Sequence, residues 1–289
     1  MYQIDAAGWI IRATAAGALF VGFCALITPM TRDIPSLPPL TKADAAQPAL
    51  SRYKREQIPD IVLVGSSLTF RLNESYFLPL QVRNLAISGD SSLTGLQIIA
   101  SYPRIPSLIL VEANVMSRGV DASLVKQFSA ESRNFLIMRP VRTAVAYFAS
   151  RSRRSLEPAS ALEGLLNRPS EDHNNSDAIE RAIEEFGKST QDSAIKNNVG
   201  ILRQLISELT ARGGRVYLFE LPYPEKIETT HYVETTRTAV HEMFPDPRVW
   251  LHLSFSKEEL RFEDHAHLDE RSALIVARSM DREIGSLRQ

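Results

Sequence analysis

The chain has 289 residues, enough for one large domain or two small ones around a sizeable core. A net charge of −1 supplies no basic field for nucleic acid, and 44% hydrophobic with 23% charged residues is ordinary for a globular protein. The one cysteine, Cys24, excludes an internal disulfide framework and a cysteine-based zinc cluster.

From Ala6 to Ile27 the only charge is Arg12, and "ATAAGALFVGFCALI" (Ala13 to Ile27) has none. At about 1.5 Å per residue such a stretch reaches across a hydrocarbon layer of about 30 Å. Arg12 and Trp9 lie near one end, where an interface would hold them. The pattern predicts a membrane anchor over 1–30. A cleaved signal peptide is the rival, but no small-x-small site follows Ile27 directly. Flanking basic residues are nearly balanced and do not set the orientation. Asp33 to Leu50 carries four prolines and no apolar periodicity, which predicts an extended linker over 31–52. The globular domain is expected at 53–289.

Within it, five short apolar runs are bounded by Gly, Pro, Asn or Ser: Asp60–Gly65, Val82–Gly89, Ser107–Asn114, Gly214–Pro222 and Pro247–Ser254. Continuous rather than alternating apolarity predicts strands buried on both faces. Helical patterns lie between or after them at Ser91–Ser101, Asn198–Arg212 and Asp269–Ile284. The alternation predicts an α/β three-layer sandwich with a five-stranded parallel sheet. In such sheets reactive residues gather at the carboxyl ends of the strands. About a hundred residues separate the third and fourth strands, too many for a simple crossover, so a helical insertion is expected at about 121–197. Phe135–Phe148 looks helical around Pro140, and Pro169–Asp177 reads as a loop. Between Ser132 and Leu156 there are six arginines and no acidic residue. A solvated helix face and a contact with anionic lipid or polymer both fit that run.

Gly65-Ser66-Ser67 falls where the first strand ends. A serine nucleophile needs a base, and the base needs an orienting acid. Of six histidines, only His267 has an aspartate three positions earlier, Asp264, on a loop before the last helix. Blander readings stand beside this one. Gly-Ser-Ser also makes a turn and an N-cap. His265 and His267 with Asp264 or Asp269 could ligate a metal, although no further histidine cluster completes a site. Glu228-x-x-His231 is a second carboxylate–histidine pair.

Taken together, the chain resembles the SGNH hydrolases, or GDSL esterases. Their four short blocks match in order: Gly65-Ser66-Ser67 after the first strand, Asn84 to Gly89 after the second, Asn114 after the third, and Asp264-x-x-His267 before the last helix. The match spans about Ile58 to Ile284 without the insertion. Ser66 stands where the family has Asp, Glu112 where it has Gly, and Val115 where an Asp often follows the Asn. The resemblance implies an SGNH or flavodoxin-like sandwich. It implies Ser67 as nucleophile, His267 as base and Asp264 as its orienting acid. It also implies an oxyanion hole from the Ser67 and Gly89 N–H groups and the Asn114 amide.

Membrane-anchored relatives act on envelope and exopolysaccharide acyl groups. The implied activity is therefore a serine esterase or O-acyltransferase, with transfer of acetyl groups favoured, acting on an envelope glycan or lipid ester. No cofactor and no metal are expected. The expected location is the cytoplasmic membrane, single-pass, with the catalytic domain outside and a membrane-bound acyl-donor protein as partner. A non-catalytic binding or assembly protein of an envelope polysaccharide system, on the same fold, is the alternative.

Overall fold

The computed structural model describes residues 6–27, 49–54, 56–131, 158–169, 173 and 175–287. They belong to two compact units. One comprises Met1–Leu40 and Arg133–Leu156, the other Thr41–Ser132 and Glu157–Gln289.

Of the first unit, helix α1 (Ala6–Ile27) is described. Trp9, Ile10, Ile11, Leu19, Phe20 and Phe23 on it are exposed. Among the described residues no helix is long and apolar enough to cross a membrane. The expected membrane-spanning helix is not supported by the described residues. The Pro-rich stretch up to residue 48 and the arginine-rich stretch 132–156, including the helix expected around Pro140, lie outside the described residues.

The second unit is built on a parallel sheet of β1 (Ile61–Val64), β2 (Val82–Asn84), β3 (Leu108–Glu112) and β4 (Arg215–Phe219), in the order β2-β1-β3-β4. All of β1 and β3 is buried, as expected for strands covered on both faces. Helix α2 (Ser67–Phe70) follows β1 directly. Helix α3 (Ser92–Ala100) links β2 to β3. The crossover from β3 to β4 carries α4 (Ala122–Phe128), α5 (Pro158–Leu166), α6 (Ser176–Phe186) and α7 (Asp192–Ala211). The last of these packs on α3 and β4. After β4 come α8 (Glu225–Glu228), α9 (His231–Met243) and α10 (Glu270–Leu287). Val62, Leu63, Val64, Ile109, Leu110 and Val111 are wholly buried. Each such side chain contributes about 1.5–3 kcal/mol relative to exposure.

Two expectations are corrected. Among the described residues the sheet has four strands rather than five. Pro247–Val249 forms a 3₁₀ turn capped by Asp246, and only a single parallel bridge, Leu218 with Trp250, follows it. Pro247 has no N–H to give a ladder, the Val249 and Trp250 N–H groups turn back to the Asp246 and Pro247 carbonyls at 3.2 and 3.1 Å, and the Leu251 N–H reaches the Leu218 carbonyl of β4 at 2.8 Å. The domain also starts earlier than residue 53. Residues 49–54 are helical, Leu50 and Tyr53 are buried, and Tyr53 meets Tyr102 edge-on at 5.1 Å.

Candidate active site

Strand β1 is flanked by β2 on one side and β3 on the other, so the chain order reverses there. The crevice beyond the strand ends at such a point is the ordinary ligand position of an open parallel sheet. Ser67, Gly89 and Asn114 follow the ends of these three adjacent strands.

At the end of β1 the chain turns directly into α2. Ser66 is the N-cap: its extended backbone and its Oγ, which accepts the Leu68 N–H at 3.1 Å, start the helix. Ser66 is fully buried, whereas Ser67 is half-exposed to the crevice. The corner is tied to β2 through Asn84, whose amide donates to the Thr69 and Leu72 carbonyls at 2.8 Å each.

Asp264 and His267 sit on a different device. Residues 261–269 form a narrow loop closed by an antiparallel bridge between Phe262 and Leu268. Asp264 Oδ1 accepts the N–H groups of Ala266 and His267, both at 2.8 Å. His267 Nδ1–H donates to Asp264 Oδ2 at 2.7 Å. That tautomer leaves Nε2 as an acceptor, and the Ser67 hydroxyl donates to it at 2.8 Å. Two residues 200 positions apart are thus within one hydrogen bond. Partial burial works against a charge on Asp264. The hydrogen bonds from the His267 ring and from the His267 and Ala266 backbone outweigh it and hold the carboxyl well below the usual range. Asp269 accepts the Ser272 N–H at 2.7 Å and so caps α10 immediately after the loop.

Gly89 lies in a turn with φ of 77°, a left-handed conformation that favours glycine. Among the described residues the Ser67 and Gly89 N–H groups have no acceptor. Asn114 is buried and tethered: its Nδ2 donates to the Leu221 carbonyl at 2.8 Å and its Oδ1 accepts the Leu221 N–H at 2.7 Å. It also meets the Tyr223 hydroxyl. The structure shows no direct hydrogen bond from Gly89 or Asn114 to Ser67 or His267.

The rival arrangements are not formed. Glu228 accepts the Tyr223 N–H and pairs with Arg237, while His231 pairs with Asp192 at 2.9 Å. Among the described residues no group of three or more His, Cys, Asp or Glu side chains is placed to hold a metal ion. A cavity of about 360 Å³ lies away from the triad, past the end of β4, and is lined by Leu221, Arg237, His241, Trp250 and Phe255. Its charges are internally paired, Arg237 with Glu220 and Glu228, and His241 with Glu220.

Several residues near the triad escaped the sequence reading. Asn175, from the segment before α6, donates to the Phe262 and Asp264 carbonyls at 3.0 and 3.1 Å. Phe186 at the end of α6 meets His265 edge-on at 5.9 Å and Tyr232 at 4.9 Å. Arg71 pairs with Glu263 at 2.7 Å, joining the end of α2 to the acid–base loop. The inserted helix therefore forms part of the site wall. The one available signal was Glu112, a charge closing an apolar strand. Comparison with family models, with curated proteins and with solved structures gives no match for this chain.

Proposed function

We propose that this chain is a serine-dependent acyl-ester hydrolase or O-acyltransferase of the SGNH type. The observation that carries the proposal is the continuous relay from Ser67 Oγ through His267 to Asp264, with both links under 3 Å. In this reading Ser67 attacks an ester carbonyl while His267 takes its proton. Asp264 keeps the imidazole in the tautomer that leaves Nε2 free to accept, and stabilises the imidazolium. His267 then returns the proton to the departing alkoxide. Water or a sugar hydroxyl, deprotonated in turn by His267, releases the acyl group from Ser67. The unengaged N–H groups of Ser67 and Gly89 are candidate donors to the oxyanion.

The substrate class we favour is an O-acetylated glycan of the cell envelope or a secreted polysaccharide, with an envelope lipid ester as the other candidate. In this reading the exposed apolar face of α1 holds the protein at the cytoplasmic membrane, with the catalytic domain outside. A membrane-bound protein delivers the acyl group if the reaction is a transfer.

The test is intact-mass analysis of the full chain after a fluorophosphonate probe and, separately, after 4-nitrophenyl acetate. One adduct per chain on Ser67 is expected. A folded chain that takes neither label points to the non-catalytic glycan-binding alternative.

A further inference from the structure

Glu112 is a buried acidic residue that the relay does not use. It closes β3 and is 1% exposed, in an otherwise apolar strand. Its carboxyl group faces the corner that carries Ser67. Oε2 accepts the Ser66 N–H at 2.8 Å, the Thr69 N–H at 3.2 Å and the Thr69 hydroxyl at 2.6 Å. Oε1 accepts the Ser66 hydroxyl at 2.7 Å. The residues on both sides of Ser67 are thereby pinned to one side chain from a neighbouring strand. Gly65 belongs to the same arrangement, because a Cβ there would lie 2.6 Å from Glu112 Oε2.

A plain strand-to-helix turn does not need this. Ser66 Oγ already caps α2 through Leu68, and a serine cap suffices for a short helix. Burying a carboxyl group is costly unless its hydrogen bonds are made, so its presence calls for a reason beyond closing the turn. Two of the three positions where the chain departs from the blocks it resembles, Ser66 and Glu112, are in direct contact here. A carboxyl group absent from the turn is supplied from the strand opposite.

We propose that Glu112 is a positioning residue which, through Ser66 and Thr69, sets the turn that aims Ser67 Oγ at His267 Nε2. The inference rests on the reading of Ser67 as nucleophile. It implies that the place of the carboxyl group matters more than which residue carries it. Glu112→Gly leaves the Ser66 and Thr69 N–H groups and the Thr69 hydroxyl without their acceptor. Ser66→Asp alone sets two buried carboxyl groups face to face. Together, the two substitutions return one carboxyl group to the same pocket from the turn side.

The experiment follows the fluorophosphonate labelling rate, kcat and KM on 4-nitrophenyl acetate, and thermal unfolding of the full chain and its variants. Glu112→Gly is expected to lower labelling and kcat by about 100-fold with KM nearly unchanged, the size of effect a misaimed reacting atom produces. Glu112→Gln keeps one acceptor oxygen for the three Oε2 donors, and the Ser66→Asp/Glu112→Gly pair restores the carboxyl group. Both are expected to stay within about tenfold of the wild type, the remaining aim error being small.

A folded Glu112→Gly that labels at the wild-type rate overturns the proposal. So does a folded double variant no faster than Glu112→Gly. If Glu112→Gly does not fold, the other two variants decide: folded but labelled about 100-fold more slowly, they refute positioning by this carboxyl group. A wild-type chain that is folded and unlabelled removes the nucleophile reading and this inference with it. That outcome differs from a labelled wild type whose variants do not respond.

Discussion

The two halves of the proposed relay are held by different means. The Ser67 corner after β1 is fixed from a distance: Ser66 and Thr69 are fully buried and bonded to a side chain 46 and 43 positions away. The Asp264–His267 pair is fixed chiefly within its own loop: Asp264 bonds the backbone two and three positions ahead and the ring of His267, and both side chains remain partly exposed, while Asn175 and Arg71 tether the loop itself from farther along the chain. A buried long-range anchor resists local opening, while a short-range turn opens with its loop. Under the proposed chemistry the pairing suits a serine that stays in place and an imidazole that serves first an entering and then a leaving oxygen.

The comparison breaks most sharply at its shared bond. Ser67→Ala is expected to abolish probe labelling, and His267→Ala to lower turnover on the order of 10³-fold or more, since relay members act as a unit. Ser67→Ala should shift the unfolding midpoint by no more than about a degree or two, because its side chain does not support the core; His267→Ala also removes the ring hydrogen bond to Asp264 and is expected to lower it further. Labelling that survives in Ser67→Ala and disappears in Ser66→Ala would move the nucleophile to Ser66. The burial of Ser66 against Glu112 argues against that.

Asn114 sharpens the comparison from a third strand end. Its amide nitrogen carries two hydrogens, and the Leu221 carbonyl takes one. The second is within reach of the Tyr223 hydroxyl. Asn114→Ala is expected to cost about 1–3 kcal/mol of stability by leaving the buried Leu221 N–H and carbonyl unpaired. It is also expected to lower kcat by about 10²-fold if that second hydrogen meets the oxyanion. Denaturant unfolding and steady-state kinetics on one sample separate the two. Lost stability with unchanged kcat confines Asn114 to tethering β3 to the segment after β4, and the oxyanion then rests on backbone N–H groups.

Much of this site was legible because its signals are local. Continuous apolar runs ending in Gly-Ser-Ser, Gly89 and Asn114 mark strand ends, and an α/β sheet brings strand ends together. Asp264 and His267 form their own turn within four residues. The fifth strand was misread because "VWL" carries strand propensity while the Val249 and Trp250 N–H groups bond back into the turn at Asp246 and Pro247. Leu50 was assigned to the linker because a single buried residue makes no periodic pattern. The contacts of Glu112 and Asn175 were invisible for another reason. Each residue acts on a segment more than 40 positions away, and sequence spacing carries no trace of that contact.

The smallest expected effect is a difference of sign in acid. Burial, set against the hydrogen bonds from Thr69 and Ser66, raises the Glu112 carboxyl above its ordinary value. Asp264 is shifted the other way. The folded chain therefore holds a proton on Glu112 at pH values where the unfolded chain, with an ordinary value of about 4.3, has lost it. Stability from this group is present below about pH 4.3 and falls as pH rises through the folded value. For Asp264 the folded chain binds fewer protons, so its contribution is present above about pH 3.9 and is lost as pH falls. Glu112→Gln and Asp264→Asn each remove one titration. Wild-type minus variant stability, from denaturant midpoints between pH 3.5 and pH 8 (a range on the order of these ordinary values), is expected to fall with pH for Glu112→Gln. It should rise with pH for Asp264→Asn, less steeply because water screens the partly exposed carboxyl of Asp264. Tyr223 and Tyr232, the titratable groups that interact electrostatically with Glu112, are both raised chiefly by burial and stay neutral over this range. A Glu112 difference that rises with pH would mean that its donors outweigh burial. The corner would then hold a carboxylate anion, and the two halves of the relay would share one electrostatic design.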